Sequence, residues 1–335
     1  MQGIRNGLLL VNTGSPASTQ TADLRRYLRQ FLSDPRVLDI PAPLRWALVN
    51  LVIVPFRAPK SAEAYKKIWT AEGSPLLAHG RALQKGLGAE LGPDWQVELG
   101  MAVGEPSLQR GLDALASCGR IVLVPLYPQY AGATTGSILD QSLHTLAQRV
   151  NVPILQVLPP FYAEPAFIRS VVTVARPQLQ EFQPDTLVYS FHGLPESQIK
   201  AAGLAEGRRC LEGDCCSLPS AHCYRQHCLT TARLLEAELG PGVVAFQSRL
   251  GRARWLEPSL EQVIEDLAKR GSKKVAVIAP SFVADCLETL EEIGQRGAEL
   301  FREKGGEELR MIPAVNSHPT WVQGLAELVR AVGRG

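Results

Sequence analysis

The chain has 335 residues, 45% hydrophobic, with 35 Lys+Arg against 33 Asp+Glu and a net charge of +2 at pH 7. That length is enough for two domains with cores of their own. Without a long basic run or a basic–aromatic stripe, the composition argues against nucleic acid as the main partner.

Taken in chain order, the first predicted strand is "GLLLVNT" (7–13), closed by the turn Thr13-Gly14-Ser15-Pro16. Its apolar stretch is too short for a signal peptide, so a cytoplasmic location is expected, where thiols stay reduced. A helical pattern covers 19–32. The run "WALVNLVIVPF" (46–56) is the longest apolar segment and reaches about half of a bilayer span. A helix over 74–91 and a strand over 95–101 follow. A helix over 105–117 then leads to a strand over 120–126, and a helix over 136–149 to a strand over 153–159. A second set comprises strands over 185–191, 243–249, 273–280 and 308–315, with helical patterns over 222–239, 257–270 and 282–303. Apolar, β-branched runs separated by helices point to parallel sheets buried on both faces.

An internal echo extends this reading. "EPSLQRGLDALASCGRIVLVPLYP" (105–128) matches "EPSLEQVIEDLAKRGSKKVAVIAP" (257–280), and "LLLVNTGSP" matches "LVYSFHGLP". Glu-Pro-Ser-Leu predicts a helix with Pro in its first turn. Any two βα units share some of these features. Two similar α/β domains with parallel sheets account for all of them, with ligands beyond the carboxyl ends of the strands. The expected boundaries are 1–150, with a lip segment at about 34–58, then 151–315, then a C-terminal helix over 316–335. The chain has no G-x-G-x-x-G after the first strand, no Walker-type G-x-x-x-x-G-K and no G-x-S-x-G. Nucleotide-binding Rossmann enzymes and serine hydrolases are thereby disfavoured.

Three stretches carry candidate chemistry. His192 stands at the end of the 185–191 strand before Gly193-Leu194-Pro195, where an imidazole either meets a ligand or serves a structural bond. In 280–295, Asp285, Glu288 and Glu292 fall at i, i+3 and i+7. On an α-helix they form one stripe, which is either a solvated face or a guide for a hard cation. In 125–138, Tyr127 and Tyr130 follow a strand. Thr134-Thr135-Gly136-Ser137 would open the next helix with free N–H groups, suited to a carboxylate or to simple capping.

Taken together, these motifs resemble the ferrochelatase family. The likeness runs through "LLLVNTGSP" (8–16), "AYKKIW" with "GSPL" (64–76), "YPQYAGATTGS" (127–137), "YSFHGLP" (189–195), "FQSRLGRARWLEP" (246–258) and "FVADCLETLEE" (282–292). The resemblance implies two Rossmann-like domains with a porphyrin cleft between them, and insertion of Fe²⁺ into a porphyrin, taken as protoporphyrin, in haem synthesis. A chelatase for coproporphyrin, another tetrapyrrole or another metal is the alternative reading, followed by a non-catalytic haem- or iron-sensing protein. His192 matches the family's histidine that acts on the pyrrole protons. Glu288 matches the carboxylate facing it, so these two would also meet the Fe²⁺ substrate, with Asp285 and Glu292 beside them. Thr13, Tyr130 and Trp255 match cleft-lining positions, and Ser137 is a further substrate-contact candidate. Cys286 stands where many relatives carry histidine, and either alters metal preference or packs as a small apolar group. The lip region implies peripheral contact with the inner face of the membrane, against an ordinary core helix. Oligomeric state is left open.

Five of the seven cysteines lie in "CLEGDCCSLPSAHCYRQHC" (210–228), spaced C-x4-C-C-x6-C-x4-C. The absence of a C-x2-C pair fits zinc ribbons badly. Four thiolates in one loop suit a [2Fe–2S] cluster, which some bacterial members of the family carry. Zinc and redox-active free thiols are the alternatives. The expected ligands are Cys210, Cys223, Cys228 and one of Cys215 and Cys216, with His222 and His227 outside the ligand set.

Overall fold

The computed structural model describes residues 5–249 and 253–333. Residues 250–252 of the 246–258 motif, and the extreme ends of the first domain and the C-terminal segment, lie outside the described residues. The chain forms two compact units that are not contiguous in sequence. One comprises Met1–Leu126, Gly132–Pro159 and Val322–Gly335, the other Tyr127–Ala131 and Pro160–Trp321.

Each unit holds a four-stranded, all-parallel sheet. In the first, β1 (Asn6–Asn12), β2 (Trp95–Met101), β3 (Arg120–Pro125) and β4 (Ile154–Val157) lie in the order β2-β1-β3-β4. In the second, β5 (Thr186–His192), β6 (Gly242–Gln247), β7 (Lys274–Ile278) and β8 (Glu308–Ile312) repeat it as β6-β5-β7-β8. The central strands β1 and β5 are buried on both faces, as in Leu8–Val11 and in Val188, Tyr189 and Phe191. That is why these segments read as continuous apolar runs instead of alternating ones.

The internal echo is structural. Ser107 and Ser259 each cap a helix, Leu108–Ala114 and Leu260–Lys269, with a side-chain oxygen accepting from the N3 backbone. Each capping segment also pairs with the end of a strand: Met101 N–H donates to Pro106 C=O at 2.7 Å, and Phe246 N–H to Pro258 C=O at 2.9 Å. The prolines therefore stand before the cap and not in the first helical turn, and both Glu–Pro peptides are cis.

Two further expectations are corrected. The 282–303 segment is not one α-helix but a π-helix, Glu288–Gly297, continued by a short α-helix, Ala298–Glu303. Ile293 and Phe301 pack that run onto the second sheet with Val188, Val275 and Val277. Full burial of each contributes roughly 2 kcal/mol. The opening at 134–137 is not a free helix end either: a π-turn, Gly132–Gly136, runs straight into the helix Ser137–Ala147. Helices Pro165–Phe182, Glu196–Ala205 and Tyr224–Leu239 also belong to the second unit. In the first, the apolar run 46–56 lies on a helical stretch made of Ala42–Ala47, the π-helical Leu48–Ile53 and Val54–Ile68.

Candidate active site

His192 is the last residue of β5 and is half-buried. Its Nδ1 lies 2.7 Å from the carbonyl of Gly193, which can only accept, so Nδ1 carries the proton. The Nε2 lone pair is then the basic one. The main chain is pinned on both sides of the ring. His192 N–H donates to Ser281 Oγ at 3.1 Å, and the Tyr224 hydroxyl donates to His192 C=O at 2.7 Å. Tyr224 Oη also lies 3.3 Å from Ser281 Oγ, and burial raises its pKa far above the ordinary value, so it stays a donor. Phe282 meets the imidazole edge-on at 6.2 Å.

Gly193 lets a second wall approach. A Cβ there would lie 2.8 Å from Gln247 O and 3.3 Å from the indole of Trp255. Trp255 bridges back to Pro195, with Leu256 N–H donating to Leu194 C=O at 3.0 Å. The structure thus brings Trp255 up to the His192 turn.

Glu288 opens the π-helix and is partly exposed. Glu292 lies four residues further along the same π-helix, close enough for the charge of Glu288 to act on it. The electrostatics carry that mark. Burial first, then the charge of Glu288, pushes the Glu292 pKa up to about 7. Opposing this, Ser248, held at φ 64°, donates its hydroxyl to Glu292 at 2.5 Å, and Arg296 pairs with Glu292 at 3.1 Å. Arg296 also pairs with the buried Glu291 at 2.8 Å.

Asp285 does not share this arrangement. It is buried before the π-helix begins, and both carboxylate oxygens are occupied. Oδ1 accepts from Thr289 Oγ1 at 3.0 Å and Ala314 N–H at 3.2 Å, and Oδ2 from Asn316 Nδ2 at 2.8 Å. The geometry makes it a strut tying the helix start to the loop after β8, so the three-carboxylate stripe reduces to Glu288 and Glu292. Cys286 is buried with its pKa raised chiefly by burial, and its N–H donates to Thr289 Oγ1 at 3.0 Å. Its thiol is also hydrogen-bonded to the Glu288 side chain, whose charge is the next cause of the raised pKa.

Tyr130 is held by two histidines. Its N–H donates to Nδ1 of the buried His227 at 3.2 Å, and its ring meets His222 edge-on at 4.8 Å. In the first unit, Thr13 follows β1 and its C=O accepts from Val103 N–H at 2.8 Å. Ser137 is buried at the start of the helix Ser137–Ala147, with its hydroxyl 3.4 Å from Gly132 C=O of the preceding π-turn.

Of the cysteines, Cys210, Cys216, Cys223 and Cys228 are buried and Cys215 is half-buried. The cysteines are all free thiols; that of Cys223 is hydrogen-bonded to Cys216 and Cys210, and the hydrogen bond from Cys216 is the main cause of its lowered pKa. Cys215 lies 3.8 Å from Cys216. Cys228 is hydrogen-bonded to Tyr224. The thiols gather, but among the described residues no three His, Cys, Asp or Glu side chains are grouped so as to hold a metal ion.

With that geometry in hand, the family model for ferrochelatase matches residues 5–332. The chain belongs to the ferrochelatase family. A ferrochelatase from Pseudomonas fluorescens is 47% identical over 336 residues, covering 96% of this chain and 97% of its own. One from Coxiella burnetii is 42% identical over 332 residues, covering 97% and 93%. Among solved structures, SirB from Bacillus subtilis with Fe³⁺ is similar with a TM-score of 0.58 at 12% identity, covering 98% of this chain and 95% of that one. The sirohydrochlorin chelatase SirB from B. subtilis subspecies spizizenii, in complex with cobalt, has a TM-score of 0.55 at 11% identity, covering 98% and 96%. At those identities the likeness is one of fold, a two-sheet α/β chelatase architecture.

The main residues missed by sequence reading are Gln247, Tyr224 and Ser281. Each acts through a bond to a residue distant in sequence, which no local pattern announces.

Proposed function

We propose that this chain inserts Fe²⁺ into protoporphyrin to form haem, with His192 and Glu288 as the reacting residues. Family membership over residues 5–332 carries the reading. Insertion requires two pyrrole N–H protons to leave and Fe²⁺ to shed water. His192, with Nδ1–H fixed on Gly193 C=O, offers Nε2 to a pyrrole proton. Glu288 offers a carboxylate to hydrated Fe²⁺. Glu292, titrating at about 7, is suited to pass protons on to solvent. Trp255 and Tyr130 supply flat apolar surface for a macrocycle, and Thr13, after β1 in the first unit, is a further proposed substrate contact. The test is His192→Ala: porphyrin binding persists, while loss of free-base fluorescence on adding Fe²⁺ stops. Near-wild-type turnover in that variant would end the assignment.

Protoporphyrin over coproporphyrin is favoured by the apolar face at 42–56, where Leu44, Trp46, Leu51 and Phe56 are each more than 60% exposed. The same face, flanked by exposed Arg57 and Lys60, suits peripheral binding to an anionic membrane from the cytoplasmic side. No described helix is long and apolar enough to cross a membrane. The segment 210–228 is proposed to hold a [2Fe–2S] cluster on thiolates of Cys210, Cys223, Cys228 and one of Cys215 and Cys216. Five gathered thiols support this. Because they form no metal-holding group as they stand, ligation would require the segment to close, and no step of insertion is routed through it.

A further inference from the structure

We infer that Gln247 is a positioning residue for iron insertion, coupling His192 to Glu288 through one buried amide. The inference rests on the reading of those two residues as the reacting pair.

Gln247 is the last residue of β6 and lies opposite His192 in the parallel register. Its side chain is buried, at 2% exposure, where an amide is tolerated only if its polar atoms are bonded. Both are. Oε1 accepts from Ser190 Oγ at 2.7 Å, and Nε2 donates to the Glu288 carbonyl at 3.1 Å. A carbonyl cannot donate, so the amide has one permitted orientation: nitrogen to Glu288, oxygen to the Ser190 hydroxyl.

Those partners set the geometry. Ser190 is two residues before His192, so its side chain leaves β5 on the same face. The Gln247 main-chain carbonyl accepts from Gly193 N–H at 2.7 Å, just past His192. The residue therefore grips the His192 strand on both sides with two of its groups. With a third it holds the first carbonyl of the π-helix. That helix starts at Glu288, so the bond fixes where the Glu288 side chain leaves the backbone. A displacement of about 1 Å at a reacting group costs on the order of a hundredfold in rate, and nothing else described in this unit joins the two residues so directly.

Gln247→Leu keeps the volume and removes both bonds. Gln247→Glu is nearly isosteric and makes the second bond conditional. As a neutral acid it still donates to Glu288 C=O and accepts from Ser190. Once ionised it only accepts, and it places a negative charge against the Glu288 carbonyl. Ser190→Ala removes the hydroxyl that orients the amide.

The experiment compares these full-length variants with wild type, with His192→Ala and Glu288→Gln as reference arms. Turnover is measured on protoporphyrin and Fe²⁺ from mildly acidic to mildly alkaline pH, with circular dichroism and melting temperature recorded for each. The expected result for Gln247→Leu is a kcat lower by about tenfold or more, with KM for both substrates close to wild type. For Gln247→Glu, the ratio of its kcat to wild type falls as pH rises through the pKa of the new carboxyl. Ser190→Ala loses about fivefold in kcat, the effect of one neutral hydrogen bond. A merely structural role would lower the melting temperature without producing that pH-dependent ratio. Wild-type kcat in folded Gln247→Leu, or a flat ratio for Gln247→Glu, overturns the inference. If Gln247→Leu fails to fold, the pH dependence of Gln247→Glu decides. Retained turnover in His192→Ala or Glu288→Gln instead overturns the underlying site.

Discussion

Replacing Glu292 by Gln is expected to stabilise the protein at neutral pH and to flatten its pH dependence. In the fold this carboxyl titrates at about 7 against an ordinary 4.5, mainly because it is buried and then because Glu288 lies beside it. At 1.36 kcal/mol per pKa unit, that rise corresponds to at most about 3 kcal/mol. The folded pKa is raised, so the folded state holds the proton more tightly than the unfolded chain. That contribution is fully present below pH 4.5, where both states are protonated, and is lost as pH rises through 7. Glutamine keeps the shape and cannot ionise. Its stability gain over wild type should be near zero below about pH 4.5, should grow across the window to 7, and should level off above it at up to about 3 kcal/mol. Urea unfolding of both proteins across that range reads the difference. The value of about 7 is already net of the bonds from Ser248 and Arg296, which oppose the rise. Parallel stability curves for the two proteins would refute the argument, because they would mean that the carboxyl does not titrate differently on folding.

Tyr224→Phe removes the hydroxyl that holds the His192 carbonyl at 2.7 Å, and should cost about 1 kcal/mol of stability together with a several-fold loss of kcat. Unchanged kcat would show that the main-chain clamp is dispensable. Protein purified without oxygen should contain about two irons and two labile sulfides per chain. Serine at Cys210, Cys223 or Cys228 should bleach it, whereas serine at Cys215 and at Cys216 should bleach it in only one case. One zinc with no sulfide would remove the cluster and leave the reading of His192 untouched. Liposome flotation should capture the wild type on anionic vesicles and lose it when Trp46, Leu51 and Phe56 are all replaced by serine. No capture of the wild type, with or without porphyrin, would refute the membrane contact.

What sequence could and could not show divides along physical lines. Central strands buried on both faces write themselves as unbroken apolar runs, and β1 and β5 are found within a residue of where "GLLLVNT" and "DTLVYSF" place them. The presence of two similar parallel sheets is legible for the same reason, through the repeated Glu-Pro-Ser-Leu and the runs after it; the strand order, set by long-range pairing, is not. The π-helix was not. An α-helical period puts Asp285, Glu288 and Glu292 on one stripe. The π-helix, with its longer period, starts only at Glu288; it carries Glu288 and Glu292 and leaves Asp285 before it, hydrogen-bonded to Asn316. Side-chain pattern alone cannot separate those two periods over so short a run.

The residues that hold the site together were hidden for a different reason. Gln247 and Tyr224 are polar residues inside segments that read as an ordinary strand (243–249) and helix (222–239), and Ser281 lies in the turn after β7, so no pattern marks them as site residues. They matter because the fold carries each of them to the His192 strand from another part of the chain. Tyr224 makes the consequence concrete. It is the first residue of the helix Tyr224–Leu239, and Cys223 is the N-cap of that helix. The cysteine segment 210–228 therefore contains the hydroxyl that grips His192: Cys223 precedes it by one residue, and Cys228, one turn later, is hydrogen-bonded to that same tyrosine. Whatever orders the thiols also sets the start of this helix. A cysteine cluster with no part in metal insertion can thus still control its rate, by deciding how firmly the His192 carbonyl is held.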